Sequence, residues 1–137
     1  MKIEHIALWS KDIERLSDFY VRYFDGVKGD KYTNLKKRFS SYFISFDTGC
    51  RLEIMHNDAI PLSAVDPLIQ ATGITHFAFD LETEENVMRK TNLLIDDGYQ
   101  LVDGPRRTGD GYFESVMLDP DGNRIELASV ATTLPFQ

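Results

Sequence analysis

The sequence predicts an α+β fold in which two βαβββ units pair into a curved open barrel. Three observations predict it. Strand-like and helix-like periodicities follow one another in the same order twice along the chain. Two short stretches of the first half reappear in the second with matching chemistry. Each unit also presents one sheet face with nothing of its own to cover it, which leaves a lone unit marginal and favours pairing.

The first unit spans about residues 1–57. Residues 3–9 alternate in character and are rich in β-branched and aromatic side chains, so they read as a strand with its odd positions on one face. Asp12 or Ser10 caps the helix that follows. Its apolar positions Ile13, Leu16, Phe19, Tyr20 and Tyr23 or Phe24 recur at helical spacing, and Gly26 ends it. Three strand-like runs come next, at 27–33, 39–46 and 50–56, the last two separated by the turn Asp47-Thr48-Gly49.

Residues 58–72 contain Pro61 and Pro67 and lack strand alternation, so they form the linker, with room for one short helix. The second unit covers about 73–129. Its strand is expected at 74–79 and its helix at 84–97, with Val87, Met88, Leu94 and Ile95 as apolar positions and Gly98 closing it. Strands are expected at 99–103, 112–118 and 124–128, and Asp119-Pro120-Asp121-Gly122-Asn123 reads as a hairpin turn.

Composition narrows the function classes. Hydrophobic residues fill 42% of the 137 positions and charged ones 27%, which suits one structural domain over residues 1–137 with a single well-buried core. No apolar run approaches the roughly 20 residues that span a bilayer, and Met1-Lys2-Ile3-Glu4-His5 lacks a signal-peptide pattern, so no membrane partner is expected and the cytoplasm is the expected compartment. The single cysteine, Cys50, forms no internal disulfide, which agrees with a reducing compartment. A net charge of −7 with acidic residues spread throughout disfavours nucleic acid, and Lys36-Lys37-Arg38 reads as a solvated basic loop.

The repeated stretches point to chemistry. Ile3-Glu4-His5-Ile6-Ala7 lines up with Ile74-Thr75-His76-Phe77-Ala78, and Leu52-Glu53-Ile54 with Ile125-Glu126-Leu127. Strand alternation turns His5, Glu53, His76 and Glu126 away from the helix-packing face. A single His or Glu in a strand is more often an ordinary hydrogen-bonded residue than a ligand. Repetition changes that balance, because two of only three histidines occupy equivalent places, each matched by a glutamate between apolar neighbours. One divalent ion satisfies two carboxylates and two imidazoles together, and this N₂O₂ set suits Ni, Co, Mn, Fe or Zn rather than Ca or Mg. The expected metal ligands are therefore His5, Glu53, His76 and Glu126, one ion per site. His56 has no counterpart and reads as a strand-end residue.

These residues, with Asp18-Phe19-Tyr20, Tyr23-Phe24 and the run from Asp119 to Glu126, resemble the vicinal oxygen chelate superfamily over nearly the whole chain. The full His, Glu, His, Glu quartet is most similar to bacterial glyoxalase I. The resemblance implies a glyoxalase-like fold, a homodimer, and a small-molecule substrate. The implied reaction acts on the thiol hemithioacetal of a 2-oxoaldehyde through a metal-chelated enediolate. It makes Glu126 the expected base, with Glu53 the equivalent choice. An epimerase, thiol transferase or dioxygenase of the superfamily, or a non-catalytic binding protein of the same fold, is the alternative. Asn57 matches a glutathione-contacting asparagine, whereas Trp9 stands where that family usually has a glutathione-binding arginine. Trp9 and Met55 share the ligands' parity, and Arg51 and Arg124 flank the glutamates by two, so these five complete the candidate substrate contacts, with core filling or a rim salt bridge as their ordinary roles.

Overall fold

The computed structural model describes residues 1–130. The chain is α+β and separates into two compact units, Met1–Ala64 and the remainder from Val65. Among the described residues each holds one sheet and one helix.

In unit 1 the order is β1 (His5–Trp9), α1 (Ile13–Phe24), β2 (Val27–Lys28), β3 (Tyr32–Asn34), β4 (Phe39–Ser45) and β5 (Arg51–Asn57). β5 lies between β1, which it meets in parallel, and β4, which it meets antiparallel; β2 and β3 both pair with the far edge of β4. The run expected at 27–33 thus breaks into two strands at Gly29 and Asp30, residues that fit a pleated ladder poorly. Asp12 caps α1, its carboxylate accepting the Arg15 N–H at 3.0 Å, while Ser10 Oγ accepts the Asp12 N–H at 3.1 Å. The left-handed residue that ends α1 is Asp25, at φ 54°, and not the expected glycine. Gly26 is needed for room, since a Cβ there would stand 2.6 Å from Ile44 Cγ2. The core joins Leu16, Phe19, Tyr20 and Tyr23 of α1 to Ile44, Leu52 and Ile54 of the sheet.

Unit 2 runs β6 (Phe77–Asp80), α2 (Glu84–Asp96), β7 (Leu101–Arg107), β8 (Tyr112–Leu118) and β9 (Arg124–Val130), with sheet order β6-β9-β8-β7. β6 starts one residue after His76, later than expected, because its ladder with β9 opens at Phe77 opposite Ile125. β7 continues four residues past the expected Asp103. It lies at the sheet edge, where Pro105 forfeits no ladder bond, and its register shifts on both sides of Asp103. Val87, Thr91 and Leu94 of α2 are buried with Met117, Ile125 and Leu127, whereas Met88 and Ile95 stay exposed. Thr91 is tolerated in the core because its hydroxyl donates to the Val87 carbonyl and meets Ser115 Oγ, each at 2.7 Å. The expected turn ties β8 to β9: the Asp119 carboxylate accepts the Asp121 and Asn123 N–H groups, each at 2.9 Å. The linker forms turns and, among the described residues, no helix.

Candidate functional site

Parallel pairing of β1 with β5 sets Ala7 opposite Glu53 and His5 opposite Arg51, so His5 and Glu53 are diagonal neighbours on one face. His5 Nε2 stands 3.6 Å from Glu53 Oε2, too far for a hydrogen bond. On its other side, His5 Nδ1 donates to the Glu4 carboxylate, which also accepts Arg51 Nε at 2.8 Å. The hydrogen bond from His5, then that from Arg51, hold the Glu4 carboxyl below its ordinary pKa. With Nδ1 engaged by Glu4, Nε2 is the ring nitrogen turned toward Glu53, the arrangement by which a carboxylate orients a metal-binding imidazole. The Phe43 ring backs the pair, edge-on to His5 at 5.4 Å and under the Arg51 guanidinium at 4.0 Å.

In unit 2, Ala78 lies opposite Glu126 in the β6–β9 ladder, and His76, two residues before Ala78, brings Nε2 to 3.1 Å from Glu126 Oε2. Val116 of β8 is opposite Glu126 on the other side, which puts Glu114, two residues earlier, on the same face. Burial first, then the nearby charge of Glu126, raise the pKa of Glu114, while Arg106, 3.6 Å away, opposes the rise. Arg106 is itself tied to Asp103 at 2.9 Å.

Donors about 2.1 Å from a metal and at right angles to one another are about 3 Å apart, a spacing that the His76–Glu126 pair matches at 3.1 Å and the His5–Glu53 pair exceeds at 3.6 Å. Among the described residues, no three or more His, Cys, Asp or Glu side chains converge so as to hold an ion; the four expected ligands stand as two pairs, one in each unit.

The other candidates fall as follows. Trp9 and Met55 face each other across the ladder on the His5 side of the sheet. Arg51 spends its guanidinium on Glu4 and Phe43. Arg124 donates to the Pro67 and Leu68 carbonyls, each at 3.1 Å, anchoring the linker. The Asn57 amide donates to the Lys37 carbonyl at 3.0 Å and accepts the Ala59 N–H at 2.9 Å. His56 lies on the opposite face from Glu53, donating to the Ser10 carbonyl at 2.9 Å and to Asp58 at 3.0 Å. Sequence reasoning missed Glu4, Glu114 and Arg106. Alternation along 112–118 does mark Glu114, but in the strand expected at 3–9 it turns Glu4 away from His5, whereas β1 opens only at His5 and leaves Glu4 outside the alternation.

The family model for the Glyoxalase/Bleomycin resistance protein/Dioxygenase superfamily matches residues 2–127. Among solved structures, the chain is similar to a glyoxylase/bleomycin resistance protein/dioxygenase domain from Frankia sp. EAN1pec, at 15% identity and TM-score 0.78, covering 95% of this chain and 98% of that one. It is also similar to the trypanothione-dependent glyoxalase I of Leishmania major, at 19% identity and TM-score 0.75, covering 94% and 86%. A glyoxalase family protein from Enterococcus faecalis is 23% identical with TM-score 0.72, covering 93% and 97%. At these identities the likeness is one of fold. No curated protein matches the sequence. Among the described residues, no helix is long and apolar enough to cross a membrane.

Proposed function

This chain belongs to the glyoxalase/bleomycin resistance protein/dioxygenase superfamily, and from that premise we propose that it is a metal-dependent lyase or isomerase of the glyoxalase I kind, working in the cytoplasm as a homodimer. Its substrate is the hemithioacetal of a 2-oxoaldehyde and a thiol, and its product a 2-hydroxy thioester. The observation that supports this reading is the repeated pair, His5 with Glu53 at 3.6 Å and His76 with Glu126 at 3.1 Å. His5, Glu53, His76 and Glu126 hold one Ni, Co, Mn, Fe or Zn ion per site, within one chain or across two.

A divalent cation bound there supplies Lewis-acid stabilisation of the negative charge that develops on the substrate's two adjacent oxygens. Proton transfer is the work of the chain itself. Glu126 takes the proton from the sulfur-bearing carbon and returns it to the neighbouring carbon, while the hydroxyl proton passes from the first of the two oxygens to the second, so substrate and product are isomers and no co-reactant is needed. Glu126 suits this better than Glu53. A second carboxyl, Glu114, lies beside it on the same face, its pKa raised first by burial and then by the charge of Glu126. At the corresponding place beside Glu53 stands Ser41.

Elemental analysis of the purified protein, followed by turnover of methylglyoxal with a panel of thiols, tests the reading. About one ion per site and a 2-hydroxy thioester product are expected. Failure of all five metals to bind overturns it.

A further inference from the structure

The internal repeat breaks down beside the two His–Glu pairs, and it breaks down in one direction. Measured from Glu53 and Glu126 through the strand registers, Trp9 corresponds to Asp80, Phe39 to Tyr112 and Tyr32 to Arg106. At two of these three places, Asp80 and Arg106, unit 2 therefore sets charge where unit 1 sets an aromatic ring, and only unit 1 has all three rings.

Those rings form one cluster. Trp9 meets Phe39 edge-on with centroids 6.2 Å apart, and Phe39 meets Tyr32 at 6.1 Å. Alternation and register place all three on the face that presents His5 and Glu53: Trp9 is opposite Met55, Met55 opposite Ser41, and Ser41 opposite Tyr32. Met55 is two residues beyond Glu53, so the cluster begins about 7 Å from the pair along the strand. Yet the rings are not core. Trp9 is 45% and Tyr32 55% exposed, an unusual state for large aromatic side chains that adjoin one another on a sheet face.

We propose that Trp9, Phe39 and Tyr32 form the specificity platform of the site and receive a flat aromatic group of the substrate, whose vicinal oxygens lie at the His5–Glu53 pair. The proposal rests on the metal-centre reading for the position of those oxygens and commits the substrate class to aryl-substituted 2-oxo or 2-hydroxy compounds. A phenyl ring attached directly to such an oxygen pair spans the distance from Glu53 to Trp9. Offset or edge-to-face stacking on the exposed rings then favours it over an aliphatic group.

Trp9 is the chain's single tryptophan, so its emission reports on the platform alone. Mandelate and lactate carry the same vicinal oxygens and differ by phenyl against methyl. Both are titrated into protein loaded with nickel or zinc and into metal-free protein, with calorimetry for affinity and tryptophan emission as the local signal. Mandelate is expected to bind the loaded protein roughly tenfold or more tightly than lactate and to change Trp9 emission. Trp9→Leu and Phe39→Leu, each checked for folding by circular dichroism, should bring the mandelate-to-lactate ratio close to one. Equal binding of the two acids to loaded wild-type protein overturns the platform. So does emission that follows protein concentration instead of mandelate, which would mark the patch as a contact between copies. If neither metal binds but mandelate still outbinds lactate and moves the emission, the platform stands and the metal-centre reading falls.

Discussion

His5 does not reach Glu53 unaided: Glu4 accepts its Nδ1–H and is held in turn by Arg51 at 2.8 Å, so the imidazole is oriented from behind. Removing such a supporting carboxylate typically weakens metal binding about 10- to 100-fold. Glu4→Ala is expected to fall in that range by calorimetry, and unchanged affinity would show that Glu4 only decorates the surface. The two ligand glutamates separate by the work asked of them. Glu126→Gln keeps a coordinating oxygen and loses the proton acceptor, so turnover should drop by about 10² to 10⁴ while metal is largely retained; Glu53→Gln should be milder. Deuterium exchange from solvent into product distinguishes them, and a dead Glu53→Gln beside a normal Glu126→Gln reverses the assignment. His56 has a different task. Both of its ring nitrogens donate, first to the Ser10 carbonyl and then to Asp58, so its pKa is raised from the ordinary 6.5. Asp58, bound by His56 and then Arg38, has its pKa lowered from 3.8. A raised histidine contributes stability that is complete below its unfolded pKa and is lost as pH rises through the folded one; the aspartate's share is lost only as pH falls well into the acid range. Replacing His56 with Gln should therefore lower Tm more at about pH 5.5 than at about pH 8.5, and thermal melts giving an equal loss at both would contradict the clasp. Of these residues, the repeat made the four proposed ligands legible, because alternation alone assigns their face. Glu4 was not, since its pairing depends on where β1 begins and on side-chain reach, whereas Arg51 takes the salt bridge that its flanking position suggested.

At the level of the element, close packing explains what pattern alone does not. Gly26 reads as a helix stop, yet Asp25 takes the left-handed turn and Gly26 lies against Ile44 and the Tyr20 carbonyl, which a Cβ would approach to 2.6 and 3.1 Å. Ile44 is fully buried, so α1 or β4 must give way to admit a methyl group. Gly26→Ala should cost about 1–3 kcal/mol in urea unfolding; a loss within about 0.3 kcal/mol would mean that the α1–β4 junction relaxes freely. Strands and helices with a strong period were legible in the sequence, namely β1, α1, β4, β5, α2, β8 and β9. The failures have local causes. β7 passes through Gly104 and Pro105 because an edge strand tolerates a missing donor, and composition reads those residues as a stop. Periodicity marks Val87, Met88, Leu94 and Ile95 as the apolar positions of α2, but the helix covers its sheet along the narrower line of Val87, Thr91 and Leu94, with a threonine made compatible by its partner Ser115. Polar pairing of that kind lies beyond a binary pattern.

For the whole molecule, the consequence of the repeat is that each compact unit owns a core, a sheet and one His–Glu pair. Neither pair is a complete metal site, since two donors leave most of an ion's coordination to water. The proposed centre thus needs both kinds of pair, and light scattering of the metal-loaded protein should give twice the chain mass; a monomer that binds metal would place all four donors in a single chain. Binding that involves both units also makes the ion part of the folding free energy. An ion present at 100 times its Kd stabilises by about 2.7 kcal/mol, a shift in Tm on the order of 10 °C for a chain of this size. His5→Ala and His76→Ala come from different units and different sheets, yet each should abolish most of that shift, because the remaining three donors bind far more weakly than four. The double variant should then lose little more than either single one, the non-additivity expected of groups that serve one ligand. Thermal melts of the four proteins with and without nickel or zinc decide this. If each single variant keeps about half of the shift and only the double variant loses all of it, the two pairs bind separate ions, and the single four-donor centre is wrong.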